Sequence, residues 1–328
     1  MQTIAILGGR QRTLSATLPS ASHTRHAEAV IVMMDVDTGE CEQVVSYETP
    51  PEARPQQQSS IVFKSGTMDD GKLYVGTTTE AMVYDTSTWE MLRYVSLPCF
   101  NDVHHVRPTA DGTLLVVSTG LDLVVEIDDD DRVVREWNTL EADTWDRFDR
   151  DTDYRKVLST KPHRSHPNNV FIHDDEIWVS RFEQRDALCL TNRDRRIDIA
   201  VERPHDGHVV GDSVWFTTVD GHVVTADLRT DEVTGVYDLH SMDTSDEVVG
   251  WLRGLTIAND GDLLVGFSTL RVTKIRENIR WVKTRFGRMD NAKLKPTHIA
   301  RFDVGKGNLK WRRPLDDPLV DVVFSVLG

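Results

Sequence analysis

The chain has 328 residues, of which 39% are hydrophobic and 28% charged, and its formal net charge is −15. This acidic balance argues against a nucleic-acid partner, because binding to a phosphate backbone depends on a positively charged surface. No stretch approaches the ~18 apolar residues of a membrane helix, and the N-terminus lacks the pattern of a secretory signal. Three isolated cysteines, Cys41, Cys99 and Cys189, fit a reducing compartment. We therefore expect a cytoplasmic protein with no membrane or nucleic-acid partner.

A short phrase recurs along the chain and predicts the fold. In each copy, a turn rich in Asp, Asn or Gly leads into an apolar run of strand-forming residues. The copies are Asp69–Val75, Ala110–Val116, Asp174–Val179, Gly211–Phe216 and Asn259–Val265. A second strand ending in Asp follows in Ala81–Asp85, Leu123–Asp128, His222–Asp227 and Ile299–Asp303. A spacing of about 35 to 70 residues is typical of propeller blades, which bury both sheet faces only in a closed ring.

The repeat divides the chain into five blade-like segments and two unpaired ends. The segments are residues 58–98, 99–139, 166–202, 203–244 and 245–317. The N-terminal strands Ala29–Asp37 and Cys41–Tyr47 and the C-terminal strand Leu319–Leu327 predict a sixth blade, whose closure removes the last sheet edges. We therefore predict an all-β, six-bladed propeller of four-stranded antiparallel blades, forming one domain over residues 1–328. The alternative is a five-bladed ring with an N-terminal extension, which leaves the C-terminal strand unpaired.

Two segments, Leu140–Ser165 and Val272–Pro296, interrupt the repeat. In an up-and-down blade both connections lie on the face where the inner strands begin, so we expect residues 140–165 and 272–296 to form a lid over the channel mouth. The second segment has eight Lys or Arg residues against two acidic ones, Glu277 and Asp290. It can therefore attract an anionic ligand. The alternative is pairing with the acidic body or with a second subunit.

The starts of the inner strands carry polar residues where packing between blades would favour apolar ones. Alignment on the repeated phrase predicts a cavity at the ring axis with candidate catalytic residues His104, His105, His205, Lys64 and Arg253. Imidazoles move protons near neutral pH, and Lys or Arg can hold an anion. The candidate metal ligands are Asn168, Asp206, His105 and His205, for calcium or a transition metal. The alternative is a polar, water-filled channel without a function.

Three blades carry motifs that resemble the senescence marker protein/gluconolactonase family of the strictosidine synthase-like superfamily. The run Arg-Pro-His-Asp-Gly-His from Arg203 is similar to that family's Pro-Asp-Gly motif, which carries a metal-binding Asp. Pro167-Asn-Asn-Val and Phe100-Asn-Asp-Val are similar to its Asn-Gly and Asn-Asp-Gly segments. The resemblance implies a six-bladed ring with one divalent cation, often calcium, on Asp206 and Asn168. It also implies that Asn101 or His105 contacts a lactone or related ester, which the family opens.

Together these patterns predict an enzyme that acts on a small polar or anionic molecule. The expected chemistry is metal-assisted hydrolysis of the lactonase or esterase kind, or lyase or isomerase chemistry. The alternative is a non-catalytic propeller that binds a protein or a glycan through its insertion face. Such a platform would present aromatic side chains at its rim, whereas the predicted rim consists of His, Asn and charged residues. The oligomeric state does not follow from the sequence.

Overall fold

The computed structural model describes residues 2–12, 24–245, 250–269, 295–315 and 319–328. Within these residues, 24 strands form six four-stranded antiparallel sheets arranged as a six-bladed β-propeller, which confirms the predicted fold class. None of the helices in the described ranges is both long enough and apolar enough to cross a membrane.

Each blade runs from an inner strand at the ring axis to an outer strand at the surface. Blades 1 to 3 contain β4 (Gly66–Asp69), β5 (Lys72–Gly76), β6 (Ala81–Asp85), β7 (Met91–Val95), β8 (Val103–Pro108), β9 (Leu114–Ser118), β10 (Leu123–Ile127), β11 (Val133–Asn138), β12 (Pro167–His173), β13 (Glu176–Arg181), β14 (Asp186–Cys189) and β15 (Arg196–Asp198). Blades 4 and 5 contain β16 (Pro204–Val210), β17 (Ser213–Thr218), β18 (His222–Asp227), β19 (Glu232–Asp238), β20 (Trp251–Ile257), β21 (Leu263–Ser268), β22 (His298–Asp303) and β23 (Asn308–Pro314).

Blade 6 joins the two ends of the chain. Its inner strand is C-terminal, and its other three strands are N-terminal: β24 (Val322–Leu327), β1 (Thr3–Gln11), β2 (His26–Asp35) and β3 (Cys41–Tyr47). Strand β24 pairs antiparallel with β1, so that Ala5 lies opposite Leu327 and Gly9 opposite Val322. The inner strands contact one another in the closed order β24, β4, β8, β12, β16, β20. The predicted sixth blade is therefore confirmed, and the five-bladed alternative is wrong.

In the described parts of the connections between these strands, the helices are short. They are 3-10 turns and one α-helical turn: Pro51–Ala53, Thr119–Leu121, Thr144–Asp146, Tyr154–Lys156 and α1 (Leu239–Met242). The turns of the repeated phrase have the left-handed backbone that their sequence predicts, with φ of 69° at Gly71 and 87° at Gly261.

The hydrophobic core is divided among the contacts between blades. In the described part of the chain there are six buried clusters, and each fills the contact between two neighbouring blades. Between blades 3 and 4, for example, Phe171 stacks on Trp178 with ring centroids 6.0 Å apart, next to Phe216. Apolar burial thus covers the blade faces. Polar side chains at the axis must therefore come from strand positions that do not take part in the packing between blades.

The inner strands provide such positions through β-bulges. Register shifts occur in β8, β12, β16, β20 and β24. The positions that the pairing passes over are His104, Asn168, Asp206 with Gly207, Arg253 with Gly254, and Phe324. A bulge inserts an extra residue into one strand and re-aims its side chain. Five of the six inner strands therefore depart from the regular alternation of strand side chains near the axis.

Of the two insertions, only the first lies in the described part of the chain. Its residues Leu158, Lys161 and His163 reach the channel mouth. Most of the second insertion, including its basic residues from Lys274 to Lys293, falls in 270–294, outside the described residues. Lys295 at its end is described; it is buried and pairs with Asp243. The single-domain organisation and the lid stay predictions.

Candidate functional site

A cavity of about 640 Å³ lies at the mouth of the central channel. Among the described residues, every blade except blade 4 contributes to its wall. Three of the predicted catalytic residues, Lys64, His104 and Arg253, line it. The end of the first insertion, including His163, lines it as well. A cavity of this size can enclose a small organic ligand.

Lys64, Asp102 and His104 form a connected polar group in this wall. The Lys64 ammonium forms an ion pair with the Asp102 carboxylate, and its Nζ lies 3.4 Å from Nδ1 of His104. The same Nδ1 is 2.7 Å from the backbone carbonyl oxygen of Asp102. Because a carbonyl only accepts hydrogen bonds, we assign the proton of neutral His104 to Nδ1. This tautomer leaves Nε2 as the basic nitrogen.

Burial and charge set the protonation of this group. Burial lowers the pKa of the Lys64 ammonium, an effect that the Asp102 charge opposes. Burial also lowers the pKa of His104 well below its usual range, and the neighbouring Lys64 charge adds to this. For Asp102, burial acts to raise the pKa, but Lys64 and His104 outweigh it and hold the pKa well below the ordinary value. The wall thus presents a neutral imidazole next to an ion pair.

Two further histidines, His163 in the first insertion and His166 directly after it, complete this part of the wall. The Nδ1 atoms of His163 and His166 are 2.7 Å apart, and their rings stack with centroids 4.9 Å apart. His166 also meets the His104 ring edge to face at 5.0 Å. Ligand atoms of Asp102, His163 and His166 all lie within 4.8 Å of one another. Neither His163 nor Asp102 was among the predicted site residues, although the His-x-x-His spacing directly before β12 was a readable signal.

Asp122 holds the insertion in place. Its carboxylate accepts hydrogen bonds from the backbone N–H groups of Arg164 (3.0 Å), Ser165 (2.9 Å) and His166 (2.9 Å). The Arg147 guanidinium also donates to it at 2.9 Å. Asp122 itself is buried. One carboxylate thus fixes the backbone that positions both histidines.

Aromatic rings supply the apolar part of the wall. The Arg253 guanidinium lies over the ring of Phe324 at 4.4 Å and near Trp251 at 5.2 Å. Phe182 lies against the His166 ring, with centroids 5.0 Å apart, and also contacts His205 at 5.3 Å. All three aromatic residues line the cavity. The expected rim of His, Asn and charge was therefore incomplete, because Phe182, Trp251 and Phe324 add aromatic rings to it.

His105 does not belong to the cavity wall and instead joins three blades. Its Nδ1 accepts a hydrogen bond from the backbone N–H of Val170 at 3.2 Å. Its Nε2 lies 3.2 Å from both the Gly66 carbonyl and the Thr67 hydroxyl. Burial lowers the pKa of His105 to about 3. Both ring nitrogens of His105 thus bond to the protein between blades, and its predicted role as a base, metal ligand or substrate contact stays a prediction.

Asn101 lines the cavity but also has a structural role. Its side-chain amide donates to the backbone carbonyls of Tyr154 at 2.8 Å and Val157 at 2.7 Å. Its Oδ1 is 3.3 Å from the Thr160 hydroxyl. These contacts anchor the first insertion beside blade 2. They occupy the amide that the resemblance assigns to substrate.

The remaining predicted metal ligands are Asn168, Asp206 and His205, and the first two form hydrogen bonds within the protein. The Asn168 amide donates to the Pro204 carbonyl at 2.9 Å, which leaves its buried Oδ1 without a protein partner. One Asp206 carboxylate oxygen accepts from the Thr217 hydroxyl and from the Gly254 N–H at 3.0 Å. Burial raises the pKa of Asp206 to about 6.

His205 is buried against Phe182, and neither it nor Asp206 lines the cavity. Within the described ranges, His105, His205 and Asp206 do not form a group whose ligand atoms lie within 4.8 Å. A hard cation such as calcium takes six to eight oxygen ligands. Asn168 and a carboxylate already bonded on one oxygen do not supply this set. The predicted metal site on these residues stays a prediction.

Comparison with known proteins identifies the fold. No protein-family model and no curated protein sequence matches the chain. A protein of unknown function from Bacteroides caccae is similar in structure, with a TM-score of 0.60 and 12% identity over 99% of this chain and 97% of that one. A catalytically inactive variant of virginiamycin B lyase from Staphylococcus aureus, solved with quinupristin, gives a TM-score of 0.51 and 12% identity over 96% and 87% of the two chains.

A streptogramin B lyase structure is similarly distant, with a TM-score of 0.51 and 11% identity over 97% of this chain and 90% of that one. At these identities the likeness concerns the propeller fold and not the site. Membership in the gluconolactonase family is not supported by any of these comparisons.

Proposed function

We propose that the protein is a lyase that removes a proton from a small polar or anionic molecule bound in the channel-mouth cavity. The observation that carries this proposal is the convergence of Lys64, Asp102 and His104 in the cavity wall. A neutral imidazole can take a proton from a substrate carbon. An ammonium beside it can stabilise the negative charge that develops on the substrate at the same time.

Lys64 and Arg253 are the residues that would bind the substrate. Both line the cavity, and a carboxylate or other anion can accept hydrogen bonds from each. The Arg253 guanidinium lies over Phe324, so its plane is already oriented before an anion arrives. Phe324, Trp251 and Phe182 would contact the apolar part of the same molecule.

The proposed reaction is an elimination. His104 takes a proton at Nε2 from the carbon next to a substrate carbonyl, and Lys64 donates a hydrogen bond to that carbonyl oxygen. The electron pair of the broken C–H bond forms a carbon–carbon double bond, and the bond to the leaving oxygen on the next carbon breaks. The leaving oxygen keeps the electron pair of the broken carbon–oxygen bond and receives a proton from the His104 imidazolium or from water. No oxidant or reductant is needed.

The fold is consistent with this class of reaction, since two structures of similar fold are named as lyases. This likeness supports the choice of scaffold and carries no residue assignment. Metal-assisted hydrolysis on Asn168 and Asp206 has weaker support, because those residues lie outside the cavity wall. The cavity chemistry, and not the resemblance, therefore directs the proposal.

The test is a product analysis with a defined panel. The purified full chain is incubated with quinupristin, a sugar lactone and several 3-hydroxycarboxylates, and the products are identified by mass spectrometry. Elimination cleaves without adding water, whereas hydrolysis adds the mass of one water. We expect elimination with at least one member, reduced about 100-fold or more in His104→Gln and in Lys64→Met.

The matched control is His222→Ala, because His222 pairs with Asp220 at 2.9 Å and does not line the cavity. It should turn over substrate as the unaltered protein does. Hydrolysis products, or equal turnover by His104→Gln, would contradict the lyase assignment. No turnover of any member would favour the non-catalytic binding propeller.

A further inference from the structure

We propose that Asp102, His163 and His166 bind a divalent transition-metal ion, such as Zn²⁺, in the wall of the cavity. This site goes beyond the proposed function and uses residues other than Asn168 and Asp206, where the resemblance implies a cation. In the described part of the chain, these three side chains form a group of histidine and acidic residues whose ligand atoms all lie within 4.8 Å of one another. Each of the three side chains offers one ligand atom to this group.

The chemistry of the three ligands selects the type of metal. Two imidazoles and one carboxylate are the set used by Zn²⁺ and by divalent iron or manganese. Calcium and magnesium prefer oxygen ligands. Three protein ligands also leave a position open for a small molecule in the adjoining cavity. The site would therefore take a transition metal and would not take calcium.

The two imidazoles are placed in a way that a metal explains. Their Nδ1 atoms face each other at 2.7 Å, so at most one can carry a proton. Without a metal, one ring donates this proton to the other. A cation bonded to both nitrogens replaces the proton and requires only a small separation of the two rings. The two ring planes are inclined by 27°, with their centroids 4.9 Å apart.

The protein backbone builds this arrangement independently of any ligand. Both Asp102 and His166 have left-handed backbone conformations, with φ of 52° and 54°. Asp122 accepts the backbone N–H of His166 at 2.9 Å and of Arg164 at 3.0 Å, on both sides of Ser165. Residues that orient ligands from behind are typical of metal sites. Asp122 thus acts as a positioning residue for two of the three ligands.

Lys64 competes with the metal for Asp102. Its ammonium contacts Oδ1 of the carboxylate, so a cation would bind Oδ2. Repulsion between the ammonium and the ion should weaken metal binding. Replacement of Lys64 by Met should therefore strengthen metal binding while it weakens the capture of an anionic substrate. These opposite effects separate the metal site from the proposed function.

The test measures metal binding without any substrate. The full chain is stripped with a chelator and titrated with Co²⁺, followed by its visible absorption, and with Zn²⁺ in competition; Ca²⁺ serves as the comparison. We expect one saturable site for Co²⁺ and Zn²⁺ and none for Ca²⁺. His163→Ala and His166→Asn should each weaken binding about 100-fold or more. Asn is chosen at position 166 because it tolerates the left-handed backbone.

His222→Ala is again the matched control and should bind Co²⁺ as the unaltered chain does, since its ring pairs with Asp220 and does not line the cavity. Near-UV circular dichroism confirms that each variant is folded. His163 is only partly buried, so His163→Ala provides a folded variant if His166→Asn does not. Lys64→Met should bind Co²⁺ more tightly than the unaltered chain.

Absence of a saturable Co²⁺ or Zn²⁺ site would overturn the proposal. So would unchanged binding in folded His163→Ala, since the ion would then be bound elsewhere. The proposed lyase function can fail while the metal site stands, because the metal titration contains no substrate. The reverse also holds, because the elimination assay on His104 and Lys64 variants does not measure metal.

Discussion

His104 and His105 are neighbours in the chain, yet they lie in two different regions of the molecule. His104 sits at the bulge of β8 and faces the cavity with Lys64 and Asp102. His105 returns to the regular pairing and lies between blades, where both ring nitrogens bond to the protein. We call these regions the cavity ring and the inter-blade layer.

The same difference recurs in other blades. Arg253 is at the bulge of β20 and lines the cavity, whereas Asp206 is at the bulge of β16 but turns to Thr217 and Gly254. A bulge thus changes the direction of a polar side chain relative to the regular strand. Local hydrogen bonds then determine whether that side chain faces the cavity or a neighbouring blade. Polar residues in the cavity ring remain available to ligands. Polar residues in the inter-blade layer form their hydrogen bonds with other groups of the protein.

The largest expected effect comes from the anchor that brings the insertion to the cavity ring. Asp122→Ala removes a buried carboxylate that holds three backbone N–H groups and Arg147. We expect the free energy of unfolding to fall by about 3–5 kcal/mol, because the buried partners lose their acceptor. Urea unfolding measures this loss. Hydrogen exchange should rise around residues 158–166 and remain unchanged around His105.

Asp122→Asn is the matched variant, since its remaining oxygen can still accept from Ser165 and His166. It should lose less stability than Asp122→Ala. A loss below about 1 kcal/mol in Asp122→Ala, with unchanged exchange in the insertion, would contradict the anchoring role.

The next largest effect is expected for Asp206→Asn, which tests whether a charge in the inter-blade layer lowers the free energy of unfolding. Burial raises the pKa of Asp206 to about 6 from 3.8. The protonated carboxyl therefore contributes to the free energy of unfolding, fully below pH 3.8, and this contribution is lost as the pH rises through about 6. Asp206→Asn does not ionise, so it should keep its stability as the pH rises. Its amide oxygen can still accept hydrogen bonds from Thr217 and Gly254. At pH 8 we expect the variant to be more stable by up to about 3 kcal/mol, with the gain absent near pH 4. Urea unfolding at the two pH values measures the difference.

Asp186→Asn is the control of opposite sign, because Asp186 forms a buried ion pair with Arg181. It should lose stability at neutral pH. Equal stability of Asp206→Asn and the unaltered chain at pH 8 would show that Asp206 carries its charge there without cost.

The smallest expected effect distinguishes the two neighbouring histidines directly. His105→Ala should lower the free energy of unfolding by about 2–3 kcal/mol, because it leaves the Val170 N–H and the Gly66 carbonyl without their partner. His104→Ala should cost about 1 kcal/mol or less, since Asp102 keeps its ion pair with Lys64. Thermal and urea unfolding of both variants test this order. The reverse order would mean that the cavity ring, and not the inter-blade layer, holds the blades together.

The architecture of this protein could be predicted from its sequence because the signals for it are local. A turn with a left-handed residue, such as Gly71 or Gly261, and a following run of apolar strand-forming residues each depend on a few adjacent residues. Their repetition implies blades, and blades must close into a ring to cover their faces. The pairing of both chain ends followed from the same argument, because each end lacked any other partner.

The candidate site was predictable only in part. Lys64, His104 and Arg253 were placed correctly in the cavity wall because they precede or begin inner strands that converge at the axis. His105 and Asp206 were expected beside them, but a register estimate cannot reveal a bulge. The bulge in β8 depends on how that strand pairs with β9, and this pairing decides which of two adjacent histidines leaves the sheet.

Only the tertiary structure shows that Asp102, His163 and His166 lie close together. His163 belongs to an insertion that follows no repeat, and His166 directly follows that insertion. Asp122, which holds the backbone between them, lies 44 residues before His166. Sequence by itself determined the blades, since backbone preferences and apolar runs act over short distances. The chemistry at the channel mouth was decided by contacts between segments far apart in the chain, because hydrogen bonds and charges act between whatever groups the closed ring brings together.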